Sequence, residues 1–195
     1  MLRKLAVACN SVMALVLFAG ITQAQTQIYY YRVDYFANAN TNGAPDATLR
    51  LDNDGSNAGS NLCADIFVFD ANEEMSECCA CLETPDGLRT LAINANLTAN
   101  PDNGVVLQNG VLKIVPAATV AGTCPVPYYI NTVAGAEIQS WATHIQNTSF
   151  AVTETASQVS VLSSAEQTSL ARECGAISGV NSGAGICSCG AGTGS

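Results

Sequence analysis

The 195-residue chain is poor in charge, and in basic charge above all. Charged residues make up 12% of the sequence, with 7 basic residues against 16 acidic ones, whereas soluble proteins carry roughly 25%. A protein that follows nucleic-acid phosphates needs a basic face, and docking on anionic lipid needs basic clusters as well. We therefore expect no nucleic-acid partner and no anionic membrane surface as a partner.

Long apolar runs are also scarce, because the chain has one and it lies at the N-terminus. Arg3 and Lys4 precede an apolar stretch from Leu5 to Ile21, and a small-residue cleavage site ends at Ala24. This layout is typical of a secretory signal peptide at 1–24, while an uncleaved anchor helix is the alternative. Removal of this segment leaves five basic and sixteen acidic residues. We expect an acidic protein that is exported, without membrane insertion after cleavage, and is extracellular, cell-surface or periplasmic.

Histidine and tryptophan occur once each, at His144 and Trp141. A Ser-His-Asp site would have to use His144, but no Gly-x-Ser-x-Gly turn is present to hold a nucleophile. A single tryptophan also disfavours stacking on sugars. We therefore expect a non-enzymatic protein without a cofactor. The alternative is a secreted hydrolase or a carbohydrate-binding module.

Cysteine, in contrast, is abundant. Cys9 lies in the N-terminal segment, and an even number of cysteines in the rest of an exported chain predicts structural disulfides. A metal site and a thiol catalyst are the alternatives, and export into an oxidising compartment disfavours both. Adjacent Cys78 and Cys79 are poorly placed to bond each other, so we expect them to connect to two different elements. The predicted disulfide cysteines are Cys63, Cys78, Cys79, Cys81, Cys124, Cys174, Cys187 and Cys189.

Most of the remaining sequence has strand character, with aromatic and β-branched residues between turn signals. A hairpin is expected over Val105 to Val115, with a type I′ turn at Asn109-Gly110 and Pro116 closing its second strand. One helical turn is expected within Asn72 to Cys81, with Asp70 or Asn72 as its cap. Further strands are expected at Ile28–Phe36, Thr48–Leu51, Leu62–Asp70, Leu88–Ile93, Ile138–Gln146 and Phe150–Leu162. Apolar residues on both faces of Leu62–Asp70 predict a strand that is buried on both sides. The pattern predicts an all-β sandwich or barrel, crosslinked by disulfides.

One C-terminal α-helix completes the prediction. Ser163 and Ser164 are followed three residues later by Glu166 and Gln167, which is a capping-box pattern, and Gly179 marks the end. The expected helix covers about 164–177. The chain then divides into a Tyr-rich strand with a polar connector at 25–45, a single β-rich domain at 46–190 and a flexible Gly-rich tail at 191–195.

The Tyr-rich strand suggests two roles. In the first it is an edge strand of its own sandwich. In the second it inserts into the sheet of another copy and builds a pilus-like extracellular filament, which would make the partner a homo-oligomer. The residues that would then add the strand are Ile28, Tyr29, Tyr30, Tyr31, Val33, Tyr35 and Phe36.

Several acidic residues are candidates for metal binding or for hydrolysis. No metal is expected, but Asp52, Asp54 and Asp70 are weak calcium candidates in polar loops. Asp65 falls on the same strand face as Cys63, and we expect it to be partly buried and hydrogen-bonded to backbone N–H groups. A carboxylate pair for glycoside hydrolysis would have to come from Asp65, Asp70, Glu73, Glu74 and Glu77.

The order of the cysteine-containing pieces resembles a known family. The pieces follow the pattern CADIxVFD…ECCxC…TPxGL…ATHxQ…GxCxCG, which begins at Cys63, ends at Gly190 and covers about residues 60–190. This pattern resembles an uncharacterised family of secreted, cysteine-rich proteins of soil bacteria, of acidobacterial type. The resemblance implies an exported bacterial protein with a shared cysteine framework and no established activity. The Tyr-rich segment lies outside it.

Overall fold

The computed structural model describes residues 27–179 and 183–190, so the signal peptide predicted at 1–24 and the tail predicted at 191–195 lie outside the described residues. The described chain contains nine strands, a single π-helical turn and one α-helix. Their bounds are β1 Tyr30–Phe36, β2 Thr48–Asn53, β3 Leu62–Asp70, β4 Met75–Glu83, β5 Gly87–Ala92, the π-helical turn Ile93–Leu97, β6 Gly110–Ala118, β7 Gln139–Gln146, β8 Ala151–Ala156, β9 Gln158–Val161 and α1 Ser164–Ser178.

The strands form two antiparallel sheets that pack face to face. Sheet A has the order β4-β3-β6-β1-β9, and sheet B has the order β5-β2-β7-β8. Strands β8 and β9 follow each other directly in the chain but belong to different sheets, so the chain passes from sheet B to sheet A at Ser157. The predicted all-β class with one C-terminal helix is confirmed.

Strand β3 contributes to both cores of the molecule, because apolar residues lie on both of its faces. Eight of its nine residues are buried. Ile66 and Val68 belong to the main core between the two sheets, whereas Cys63 and Phe67 belong to a second core on the other side of sheet A. The prediction that this strand is buried on both sides is confirmed.

The second core is covered by α1. The Ser163 hydroxyl accepts a hydrogen bond from the Glu166 N–H at 3.1 Å, and Gly179 ends the helix, as the sequence predicted. Leu170 and Cys174 are the helix residues buried against sheet A. Within the described ranges, no helix has the length and apolarity that crossing a membrane requires.

The helical turn predicted within Asn72 to Cys81 is wrong, because β4 occupies this segment. Asp70 does act as a cap, but of a tight turn: its Oδ1 accepts the N–H groups of Asn72 at 2.8 Å and Glu74 at 2.9 Å. Strand pairing of β4 with β3 outweighs the local helical preference.

The hairpin predicted over Val105 to Val115 is also wrong. Val105 and Val106 lie outside any strand, and β6 pairs instead with β3 and β1. Gly110 is needed for close approach rather than for a turn, since a Cβ there would lie 2.0 Å from the Phe69 carbonyl oxygen. Pro116 does not close β6, which continues to Ala118. Its missing N–H is tolerated because β1 no longer pairs with β6 at that point.

Strand β1 pairs within its own chain on both sides. Residues Arg32 to Phe36 pair with β6, and Tyr30 to Val33 pair with β9. The expectation that this segment is an edge strand is therefore wrong, because the short β9 lies outside it. Addition of this segment to another copy would require both of these ladders to break.

Candidate functional site

All eight cysteines predicted to form disulfides do so. The Cα atoms of each pair are 5.2–5.8 Å apart, and the bonds join residues 61 to 108 positions apart in sequence. As expected, Cys78 and Cys79 connect to different elements, one to α1 and the other to the C-terminal segment. The pairs are Cys63–Cys124, Cys78–Cys174, Cys79–Cys187 and Cys81–Cys189.

Residues 183–190, called here the C-terminal segment, cover one side of the sandwich. The Cys78 N–H donates to the Gly185 carbonyl at 2.9 Å, and the Ser188 N–H donates to the Asn96 carbonyl at 2.8 Å. The sulfurs of Cys79, Cys81 and Cys189 lie within 4.8 Å of one another. Since thiolates are the form that binds metals, these sulfurs are crosslinks rather than ligands while they are oxidised.

His144 lies in a buried polar cluster between the two sheets, called here the His144 cluster. Its ring stacks on Tyr35 at 4.1 Å between centroids, and its Nδ1 lies 3.1 Å from the Tyr35 carbonyl oxygen. Its Nε2 lies 2.7 Å from the Thr155 hydroxyl and 3.4 Å from Asp34 Oδ1. Asp34 Oδ2 in turn accepts the Ser157 hydroxyl at 2.7 Å. The cluster joins β1 of sheet A to β7 and β8 of sheet B.

The arrangement has the partners of a proton-transfer site. If Nδ1–H donates to the Tyr35 carbonyl, Nε2 is free to accept the Thr155 hydroxyl proton, which is the role of a general base. A cavity of about 220 Å³ beside it is lined by Asp34 and Thr155 among others. His144 itself is only 1% exposed. The three polar groups that contact the ring, from Tyr35, Thr155 and Asp34, thus serve a buried imidazole, which needs such partners in any case.

Sequence reasoning identified His144 but missed Asp34, Thr155 and Ser157. Asp34 carried a usable signal: it is a charged residue in an aromatic strand, and it alternates onto the same face as the buried Phe36. Thr155 and Ser157 carried none, because Ser and Thr are frequent throughout the chain.

Ser157 provides a direct test of the cluster. Replacing Ser157 with alanine leaves the Asp34 Oδ2 atom buried without its donor, and we expect the free energy of unfolding to fall by about 1–3 kcal/mol. Ser160→Ala, on the partly exposed β9, is the matched control and should stay within about 0.5 kcal/mol of wild type. Urea unfolding under non-reducing conditions measures both, and equal effects would contradict a role for the Asp34–Ser157 bond.

The three calcium candidates do not come together. Asp52 lies near the end of β2 and Asp54 directly follows the strand, whereas Asp70 lies at the far end of β3. Burial and the nearby charges of Asp54 and Asp86 raise the pKa of Asp52, and hydrogen bonds from Ser56 lower the pKa of Asp54. Asp54 accepts the Ser56 N–H at 2.9 Å, which is an Asx turn.

The acidic residues weighed for glycoside hydrolysis are dispersed. Asp70 and Glu73 line a cleft of about 270 Å³ between sheet A and α1, where Lys113 pairs with Glu166 at 2.5 Å and lies 4.8 Å above the Phe69 ring. Glu74 is exposed, and Asp65 and Glu77 are buried elsewhere.

Two of these acids, Asp65 and Glu77, are buried without hydrogen-bond partners for all of their carboxyl oxygens among the described residues. Asp65 is 3% exposed, and within the described part of the chain its carboxyl makes no hydrogen bond, so the expected bonds to backbone N–H groups are absent there. Burial raises the pKa of Asp65 well above its usual range. Glu77 is fully buried, with Oε1 accepting the Asn100 N–H at 2.8 Å and Oε2 unpartnered among the described residues. Burial raises the pKa of Glu77 to about 7, although the Asn100 bond opposes this.

Glu83, at the other end of β4, forms a buried ion pair. The Arg89 Nε donates to Glu83 Oε1 at 2.5 Å, and further Arg89 nitrogens donate to the Leu82 and Cys189 carbonyls. Burial raises the pKa of Glu83 to about 7 against the opposing charge of Arg89. Arg89 thus connects the C-terminal segment to both β4 and β5.

The side of the sandwich opposite the C-terminal segment is formed by residues 151–161, called here the edge ribbon. It comprises β8, at the edge of sheet B, and β9, at the edge of sheet A. All six residues of β8 are exposed, and Val152, Val159 and Val161 are each more than half exposed. Glu154 is the one charged residue of the ribbon, and both of its oxygens accept from Arg50, at 2.7 and 3.0 Å.

Comparison with known proteins adds no assignment. No family model matches the chain, and no curated protein and no solved structure matches it. The family resemblance drawn from the cysteine pattern therefore stays a prediction.

Proposed function

We propose that this chain is an exported, non-enzymatic extracellular or cell-surface module whose fold is maintained by four disulfides. The observation that carries the proposal is the pairing of every cysteine predicted to be oxidised. Disulfides of this kind persist in oxidising compartments and are rare in the cytosol.

Two further features support the proposal. The mature chain has few charges, and its folded state is crosslinked by disulfides between residues that are far apart in sequence. In addition, the polar cluster around His144 is buried, whereas a hydrolytic site needs its base to reach a substrate.

Expression of the full chain in a bacterial host tests the compartment. We expect the product outside the cytoplasm to start after Ala24 and to contain no free thiols. A variant with Arg3 and Lys4 replaced by glutamate should stay in the cytoplasm in reduced form, because a positive N-region is part of the export signal. Unprocessed, reduced protein as the main product of the wild-type chain would contradict the proposal.

The secreted hydrolase remains a second candidate, because the 2.7 Å contact between Thr155 and His144 Nε2 lies beside a cavity. It predicts turnover of a panel of esters and glycosides that Thr155→Val abolishes while the variant still folds. Ser160→Ala is the control. Absence of turnover by the oxidised wild-type protein would remove this candidate.

A further inference from the structure

The four outer edges of the two sheets are treated differently by the fold. On one side, the C-terminal segment covers the edge of β4 through the Cys78 and Cys187 backbone bonds, at 2.9 and 3.2 Å. The same segment is connected to β5 through Arg89, which donates to the Cys189 carbonyl at 2.8 Å. Two disulfides fix this cover. Strand pairing from outside is thereby blocked on the β4 side.

On the other side, the edge ribbon has no such cover. Within the described chain, β8 pairs with β7 alone and β9 pairs with β1 alone, so each has an outer edge without a strand partner. Natural edge strands are usually protected by lysine, proline or a bulge. Residues 151–161 contain no lysine, arginine or proline, and their ladders with β7 and β1 run without a bulge. The backbone groups of β8 are therefore available for an added strand.

The charge pattern favours an occupant strand without an unpaired charge. The mature chain has five basic and sixteen acidic residues, so two copies repel each other over most of their surface. The edge ribbon is an exception, because its single acid, Glu154, forms an ion pair with Arg50 of β2 across the intervening strand β7. Of the two strands of the edge ribbon, β9 carries no charge but has only four residues, whereas β8 has six and its one acid is paired with Arg50. The longer strand, β8, therefore offers the more extensive ladder to a second β8. An antiparallel pair of identical strands also satisfies two-fold symmetry, which most homo-oligomers have.

The side-chain alternation and the length of β8 restrict the register, because five residues of this six-residue strand are paired only when the axis lies on Thr153 or on Glu154. A two-fold axis perpendicular to the sheet keeps each side chain on its own face of the sheet. An odd-numbered residue must therefore lie opposite an odd-numbered residue of the partner, and an even-numbered residue opposite an even-numbered one. Centring the axis on Glu154 would place two carboxylates opposite each other, which is destabilising. Centring it on Thr153 places Thr153 against the partner's Thr153 and Val152 against the partner's Glu154. This register keeps the charges apart.

We infer that β8 pairs antiparallel with β8 of a second copy of this chain, with the two-fold axis at Thr153. This inference rests on the proposed extracellular, non-enzymatic role and adds self-association to it. Stable interfaces bury at least about 1,200 Å² in total, and edge pairing over five residues provides less. The dimer is therefore weak and depends on concentration.

Introducing a lysine or a glutamate at Thr153 tests both the pairing of β8 with a second β8 and the proposed register. Thr153→Lys and Thr153→Glu each place two like charges opposite each other, so we expect the dimer dissociation constant of either variant to rise about tenfold or more. An equimolar mixture of the two should dimerise again, because lysine then opposes glutamate. The exchange of Thr168 on α1 for lysine and for glutamate is the matched control and should leave self-association unchanged. Sedimentation equilibrium of the oxidised mature chain measures all of these.

Two results would overturn the inference. One is a wild-type protein that remains monomeric at the highest soluble concentration. The other is a dimer that neither Thr153 variant weakens, or that the mixture of variants does not restore. A thiol assay on the same samples distinguishes failure of the proposed function from failure of the dimer inference. Free thiols would contradict the proposed function, whereas fully oxidised monomers would contradict the self-association alone.

Discussion

Replacing Cys79, Cys81, Cys187 and Cys189 together with alanine is expected to lower the free energy of unfolding by about 5 kcal/mol. Both disulfides join β4 to the C-terminal segment across 108 positions, and with both removed the segment is held by the helix crosslink 13 residues upstream and by hydrogen bonds. A loss of this size approaches the entire stability of many domains. Urea unfolding without reductant measures it.

Removal of either pair alone should cost less, about 2 kcal/mol, because the remaining disulfide closes nearly the same loop. The Cys79→Ala, Cys187→Ala variant and the Cys81→Ala, Cys189→Ala variant are therefore each other's controls. If removing one pair lowers the free energy of unfolding as much as removing both, neither disulfide compensates for loss of the other. That result would contradict this account of the C-terminal segment.

Stability is expected to fall as the pH rises from 4 to 8, and Glu77 is expected to cause roughly 3 kcal/mol of this fall. Burial raises the pKa of Glu77 to about 7 from 4.5. The folded state therefore holds the proton more tightly than the unfolded state. The contribution is fully present below about pH 4.5 and is lost as the pH rises through about 7. Asp65 and Glu83 act in the same direction.

The Glu77→Gln variant measures this contribution, because glutamine stays uncharged and keeps an oxygen for the Asn100 N–H. The difference in unfolding free energy between pH 4 and pH 8 should shrink by roughly 3 kcal/mol relative to wild type. Glu74→Gln, in the exposed turn before β4, is the matched control and should leave the difference unchanged. An unchanged pH dependence in Glu77→Gln would contradict the assignment of this carboxyl.

The sequence predicted those parts of the fold that depend on local signals. The burial of β3 on both faces, the capping box of α1 and the divergence of Cys78 and Cys79 were all confirmed, because each follows from the pattern of a few neighbouring residues. The three errors, at the expected hairpin, at β4 and at the edge position of β1, arose where pairing was not local. Asn109-Gly110 is typical of a tight hairpin, yet Gly110 is there because Phe36 and Phe69 pass too close for a side chain. The strand β4 is stabilised by β3 rather than by its own propensity.

The polar cluster at His144 shows the same limit. Its members come from β1, β7, β8 and the β8–β9 junction, more than 100 residues apart at the extremes, and no spacing rule connects them. The disulfide partners likewise depended on the tertiary fold, since eight cysteines allow 105 pairings. What the sequence predicted was which eight cysteines form disulfides, and all eight are paired in the structure.

Disulfide mapping by mass spectrometry, on protein secreted by its native host and digested without reduction, tests the central claim most directly. We expect four crosslinked peptide pairs, Cys63–Cys124, Cys78–Cys174, Cys79–Cys187 and Cys81–Cys189, in a chain that begins after Ala24. Alkylated cysteines or a bound metal ion at these positions would contradict it.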